Sequence, residues 1–469
     1  MSARIALSCA LLLATGAACA ETATMRLDFF HTGTRGSEIF AVDELVVEPL
    51  PWAGNPDRPV DDSNRGEYLF EVVEPETGRV LYSRGFSSIF EEWQSTAEAE
   101  GSHRTFHESL RFPEPSEAVT IRVLRRNENN VFAEVWRSDI DPGDMLVDRA
   151  PRVAPGEVIA ILDNGDPAHK VDLLILGDGY TAGEMDRFER DARAGADALF
   201  AVSPFAERRG DFNVWALAVP ADESGVARPS SGLWRDSPLG TRYDAFRSER
   251  YVLTFDNKAF REIASHAPYD AVEILVNNET YGGGGIFGLY STAAAGSQWA
   301  GYLFIHEFGH HFAGLADEYY TSPVAYSPKS HEVEPWEPNV TALIDPAALK
   351  WAHLASAAAP VPTPWPKAEY ERYMRAYQAE RAALRKAGRP EAEMNALFQR
   401  AQAFSDALFA EAPTAGVVGA FEGAYYSASG YYRPEQNCLM FTRSPTFCSV
   451  CSEAVTQTID LYVAGRPSP

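Results

Sequence analysis

The stretch Gly296-Ser297-Gln298-Trp299-Ala300-Gly301-Tyr302-Leu303-Phe304-Ile305-His306-Glu307-Phe308-Gly309-His310-His311-Phe312-Ala313-Gly314 reads as one helix of about four turns. Ser297 is a residue type that caps a helix start, and Gly314 one that ends it in the left-handed region. His306 and His310 stand four residues apart on one face, so their imidazoles can converge on a single ion. Glu307 lies beside the first of them, near enough to meet a metal-bound water without displacing a histidine. Zinc takes imidazole nitrogen tetrahedrally and acidifies bound water, and a carboxylate so placed serves as general base. Two imidazoles and a carboxylate in an otherwise apolar helix are costly to bury without such an ion. His311 faces away from this pair and is expected to be a packed or surface residue.

A catalytic zinc takes three protein ligands and keeps a fourth position open. His331 and His353 are too far along the chain to belong to the same turn. Directly after Gly314 the chain runs Leu315-Ala316-Asp317-Glu318-Tyr319, and Asp317 is the favoured third ligand. Glu318 is its local rival, and Glu369, Glu371 and Glu380 are more distant options. Farther on, Met440 resembles in its sequence position the methionine that forms an apolar floor beneath the histidines in metzincins. Tyr431, Tyr432 and Arg433 are candidates for a second oxyanion stabiliser. Tyr281 precedes four glycines, Gly282 to Gly285. No Gly-Lys-Ser/Thr follows them, so they read as a flexible or bulged strand edge near the site rather than a phosphate cradle, and the edge could take up an extended substrate as an added strand.

Upstream, Tyr68-Leu69-Phe70-Glu71-Val72-Val73 and Arg79-Val80-Leu81-Tyr82-Ser83 flank a turn at residues 74–78, and Ala118 to Leu124 and Val131 to Trp136 flank another at 127–130. Such short strands at regular spacing predict an N-terminal β-sandwich over residues 21–150. Asp61-Asp62-Ser63-Asn64 reads as a solvated turn rather than a calcium loop. Past a segment rich in turn formers the texture changes. Val171-Asp172-Leu173-Leu174-Ile175-Leu176 is the mark of a strand buried on both faces. Thr181 and Glu184 form a capping box for the helix that follows it, and 212–217 and 272–276 read as further strands. The second domain, 151–469, is α/β. Residues 367–411 show helical periodicity broken at Arg389-Pro390 and read as an inserted helical hairpin.

The chain has 469 residues and a net charge of −25, which argues against a phosphate backbone as partner. Arg4, the apolar run Ile5 to Leu13 and Ala18-Cys19-Ala20 describe a secretory signal peptide over residues 1–20, with lipid anchoring at Cys19 as the alternative. No other stretch is apolar for long enough to span a bilayer. The expected location is therefore secreted or periplasmic, and the expected state monomeric. Cys438, Cys448 and Cys451 remain in the mature chain. In an oxidising compartment one pair is expected to form a disulfide. The alternative is a structural zinc, which needs a fourth ligand, and no histidine follows His353.

Several stretches resemble the bacterial immunoglobulin A metallopeptidase family. They are Tyr82-Ser83-Arg84-Gly85-Phe86-Ser87 with Glu92-Trp93-Gln94; Asn164-Gly165-Asp166-Pro167 with Leu176-Gly177-Asp178-Gly179-Tyr180-Thr181; His306-Glu307-Phe308-Gly309-His310 running into Gly314-Leu315-Ala316-Asp317-Glu318-Tyr319; Glu337-Pro338-Asn339-Val340-Thr341; Gly419-Ala420-Phe421-Glu422-Gly423-Ala424; and Asn437-Cys438-Leu439-Met440 with Cys448 and Cys451. The resemblance implies a metzincin-like catalytic domain with one zinc, His306 and His310 as ligands and Glu307 as base. The usual metzincin spacing has Gly three and His six residues after the second histidine; here Gly314 is four and Asp317 seven residues after His310. The implied activity is hydrolysis of internal peptide bonds in a protein or peptide substrate. Two other readings compete: a surface-binding protein with a silent zinc site, and a zinc amidase acting on cell-wall peptides.

Overall fold

The computed structural model describes residues 22–322 and 333–463. The expected signal peptide, with Cys19, and His331 lie outside them. The fold is mixed α/β, strand-rich at its N-terminal end. Strands β1 (Ala23–Thr34), β2 (Ser37–Pro51), β3 (Tyr68–Val73) and β4 (Val80–Phe86) are followed by helix α1 (Ile89–Gln94), then by β5 (Arg104–Pro113), β6 (Val119–Arg126) and β7 (Phe132–Ile140). They make two antiparallel sheets, ordered β2-β1-β5 and β4-β3-β6-β7. Alternating residues of both sheets, among them Leu27, Phe29, Phe112, Phe70, Ile121 and Val123, close on one shared core. The two expected hairpins are present, with Val73 opposite Val80 and Arg126 opposite Phe132.

Beyond them come β8 (Ile159–Leu162), β9 (Val171–Asp178), helix α2 (Met185–Leu199), β10 (Phe212–Ala218), α3 (Asn257–Ala264), β11 (Ala271–Val276), β12 (Gly283–Ile286), β13 (Tyr290–Ala294) and α4 (Ala300–Ala313). The larger sheet has the order β12-β13-β11-β9-β10-β8. Its centre is parallel, and β9, flanked on both sides, is buried at every position. That burial is why its sequence is almost unbroken apolar rather than alternating. The Thr181–Glu184 capping box is formed, at a single 3₁₀ turn that leads into α2. Phe90, Trp93 and Phe106 of the strand-rich part pack with Leu174, Leu176 and Tyr290 in one cluster, so the two parts share a core.

Helix α4 starts at Ala300, later than its serine cap implied, while Ser297 Oγ accepts from the Trp299 amide. It ends at Gly314 with φ 62°. Its apolar face sets Phe308 and Phe312 against Phe205 and Phe212. At its C-terminus Arg65, from the strand-rich part, donates to the Ala313 carbonyl, matching a cation to the negative end of the helix. Helices α5 (Lys367–Lys386) and α6 (Glu391–Ala410) form the hairpin expected at the Arg389-Pro390 break, and β14 (Phe421–Ala424), β15 (Ser427–Arg433) and α7 (Ser449–Tyr462) complete the chain.

Candidate metal centre and cleft

Helix α4 presents His306 and His310 on one face, with their Nε2 atoms 3.3 Å apart. Each ring is held from behind. His306 Nδ1 meets the Leu439 carbonyl at 3.1 Å, and His310 Nδ1 meets the Leu315 carbonyl at 2.5 Å. A nitrogen beside a carbonyl carries the proton, so both Nε2 lone pairs face the same point. The chain turns under them after Gly314 and brings Asp317 Oδ1 to 3.1 Å from His306 Nε2 and 3.3 Å from His310 Nε2. Three acceptors, His306 and Asp317 buried and His310 partly so, face one another in a nearly equilateral triangle. Three ligands of a tetrahedral ion bound at about 2.0 Å are about 3.3 Å apart, so the donor set fits a small divalent cation.

Electrostatics agree with that fit. Burial disfavours charge on His310, but the charge and hydrogen bond of Asp317 outweigh it and raise the imidazole to about 9. Burial likewise opposes ionisation of Asp317, yet the two histidines hold it well below the usual carboxylate range. Cation binding at this donor set is therefore coupled to release of a proton. Tyr426 donates to the other carboxylate oxygen, Asp317 Oδ2, at 2.6 Å. Tyr302, one turn before His306 on the same face, sets its hydroxyl 3.2 Å from His306 Nδ1.

Glu307 does not join the triangle. Its carboxylate comes within 4.8 Å of both imidazoles, at the edge of a cavity of about 270 Å³. Burial pushes its carboxyl up and the two histidines pull it back. The glycines account for its surroundings. A Cβ on Gly285 would lie 2.3 Å from the Glu307 carbonyl, and one on Gly283 3.0 Å from Glu307 Oε1. Strand β12 can thus press against α4 only because it carries no side chains there. The edge is already taken at Gly283, which bonds to Arg250 and Val252; the expected free edge for a substrate strand is absent at that residue.

Among the rival ligands, Glu318 turns away from the triangle into a cluster of thiols. Glu371 accepts from Tyr320, and Glu380 pairs with Arg400. Met440 is fully buried, and its sulfur would be 3.2 Å from a Cβ on Gly309, so it lies against α4 behind the histidines. The oxyanion candidates 431–433 need correcting: Tyr431 and Arg433 are buried away from the cleft, Arg433 stacking on Phe441 and Trp365. Arg250, Tyr319 and Tyr426 line the cleft instead. The expected disulfide is also absent: all three cysteines are free. His311 is packed rather than exposed, accepting from the Val272 amide at Nε2 and bonding the Ile286 carbonyl at Nδ1. The cleft walls come from three places: Glu91 and Glu92 of the strand-rich part, the segment around Tyr425, and Tyr370, Met374 and Tyr377 of the helical hairpin.

Paired imidazoles, a carboxylate completing their triangle and a second carboxylate at the cleft edge are the equipment of a metal-dependent hydrolase. Residues 159–459 match the family model for IgA Peptidase M64, and residues 17–137 match that for the Peptidase M64 N-terminus. The chain belongs to this family of metallopeptidases. No curated protein matches it. No helix among the described residues is long and apolar enough to cross a membrane.

Proposed function

We propose that the chain is a zinc-dependent metalloendopeptidase with a metzincin-like catalytic domain, secreted or periplasmic after loss of residues 1–20 and active as a monomer. His306, His310 and Asp317 hold the ion, and Glu307 is the catalytic base. The observation that carries this reading is the triangle of His306 Nε2, His310 Nε2 and Asp317 Oδ1, with sides of 3.1 to 3.3 Å. When bound, zinc supplies Lewis-acid polarisation of the scissile carbonyl and acidifies a water. Glu307 takes the proton of the attacking water and later hands it to the leaving amine. Its raised carboxyl suits it to hold that proton between the two steps. Arg250, already bonded to Tyr319 at 2.8 Å, brings positive charge to the cleft and is the candidate to steady the developing oxyanion. Walls supplied by the strand-rich part and the helical hairpin suit a polypeptide passing between them.

Casein digestion that stops with a chelator and returns with zinc is the expected result. Folded, zinc-loaded protein that cuts no protein substrate would sink the reading. If such protein cleaved peptidoglycan fragments it would be an amidase, and if it cleaved nothing, a binding protein.

A further inference from the structure

The three cysteines converge on Glu318. Cys438 Sγ lies 3.7 Å from Cys451 Sγ, and Glu318 Oε1 lies 3.4 Å from Cys451 Sγ and 3.8 Å from Cys448 Sγ. All four donor atoms fall within 4.8 Å of one another, and none of the four residues is more than 2% exposed. A disulfide brings its sulfurs to about 2.0 Å, so no pair here is oxidised. Two thiolates on one tetrahedral zinc, each at about 2.3 Å, stand about 3.8 Å apart, and a thiolate and a carboxylate oxygen about 3.5 Å. The three separations lie within about 0.3 Å of these values.

We propose that Cys438, Cys448, Cys451 and Glu318 bind a second zinc ion, in a closed structural site separate from the cleft. The fourth ligand that sequence reasoning lacked is a carboxylate upstream of the cysteines rather than a histidine downstream. Three further features point the same way. Glu318 is wholly buried, and its Oε2 has no hydrogen-bond partner among the described residues. A buried carboxylate in that state is expensive unless a cation meets it. Its Oε1 is aimed at the sulfurs by Asn339, whose amide group is in turn locked to both backbone groups of Ala316. Two of the three sulfurs also accept amide hydrogens. Cys448 caps the 14-residue helix α7 and accepts from the Cys451 amide, while Cys438 accepts from the amides of Met440 and Cys448. Amide donors and a helix N-terminus both favour the charged form that a metal needs. Four anionic ligands exceed the charge of one divalent ion, and the fully buried Arg433 supplies a further cation whose charge reaches Glu318 and Cys438.

The site would act as a clamp behind the catalytic ion; this consequence rests on Asp317 being the third ligand there. Glu318 is the next residue after Asp317, and its amide donates to the Met440 carbonyl at 2.9 Å. Cys438 adjoins Leu439, whose carbonyl orients His306. One ion thus ties together the Asp317 loop, the 438–440 turn and the start of α7.

The test is a metal count on the purified mature chain, without residues 1–20 and so with three cysteines, alongside the His306→Ala/His310→Ala double variant, which leaves the thiol cluster untouched. Two zinc ions per wild-type chain and one in the double variant are expected. The cobalt-exchanged double variant should show an intense thiolate-to-cobalt charge-transfer band. Three thiols should titrate once the chain is denatured with chelator, and none in the native protein. A double variant with no metal and no such band overturns the proposal. So does a denatured chain with one titratable thiol, which would mean a disulfide. A wild-type chain with the cobalt–thiolate band but no ion at the histidines would overturn the proposed catalytic centre and leave this site standing.

Discussion

Replacing Glu307 by glutamine tests the catalytic reading most directly, because it keeps shape and removes only the proton acceptor. The side chain is enclosed by α4 and the glycines of β12, and glutamine fills the same volume. The three proposed ligands remain, so zinc content should stay at the wild-type level. Stability should hold or rise, since burial already disfavours the charged carboxylate. A positioned general base contributes about 10²- to 10⁴-fold, equivalent to about 3 to 5 kcal/mol of barrier. The E307Q variant should therefore lose that factor in kcat/KM on a quenched fluorescent peptide, mostly in kcat. The measurement needs zinc quantified in the same sample. A fully zinc-loaded variant within tenfold of wild type would show that another group takes the proton. A variant that had lost its zinc would instead make Glu307 a ligand and displace Asp317 from that role.

Three other perturbations have defined outcomes. Tyr426→Phe removes the 2.6 Å bond to Asp317, and a lost orienting partner typically costs 10- to 100-fold in metal affinity; a chelator competition giving an unchanged zinc constant would deny Tyr426 that function. His311 is neutral in the fold, with burial pulling its imidazole down to about 4. Its contribution is complete above the ordinary value of 6.5 and is lost as pH falls through about 4, by about 3 kcal/mol, and His311→Leu should instead be less stable at neutral pH because the Val272 amide and Ile286 carbonyl lose their partner, at about 1 to 3 kcal/mol each; denaturant melts at both pH values decide it. His31 carries the opposite sign. Burial lowers it, but Glu108 and Glu38 flank its two ring nitrogens and raise it above 6.5. Its stabilisation is fully present below 6.5 and fades as pH rises through the folded value. The melting-temperature advantage of wild type over His31→Gln should shrink on going alkaline, and a constant gap would mean His31 acts by its stacking on Phe40 and Phe90 alone.

What the sequence made legible follows from how local each signal is. His306, Glu307 and His310 were readable because helical spacing alone decides which face they share. Strand β9 was readable from its nearly unbroken apolar run, and the α5–α6 hairpin from helical periodicity and one proline. Asp317 could be ranked first because Gly314 forces the chain to turn just before it. Tyr426, Arg250 and Glu92 could not be placed in the cleft, since each arrives from a distant segment through tertiary packing with no local pattern to mark it. Tyr302 was a missed opportunity, because its position one turn before His306 already put it beside the ring. The hairpin was readable as helix but not as a cleft wall, since periodicity gives a buried face and not its partner.

Asp317 and Glu318 look like rivals for one ion in the sequence, yet their side chains part. Asp317 goes to the histidines and Glu318 to the thiols. The same divergence explains why the cysteines seemed one ligand short. Their fourth donor lies 120 residues upstream of Cys438 by number, delivered by the helix stop at Gly314. A single turn therefore serves two clusters. Moving the chain at Glu318 must also move Asp317, so damage to the thiol cluster should weaken zinc at the histidines, while loss of the histidines should leave the thiol cluster filled. That asymmetry separates a supporting site from a second, independent one: equal and mutual loss of both ions would mean that the whole fold, rather than the Asp317–Glu318 link, couples them.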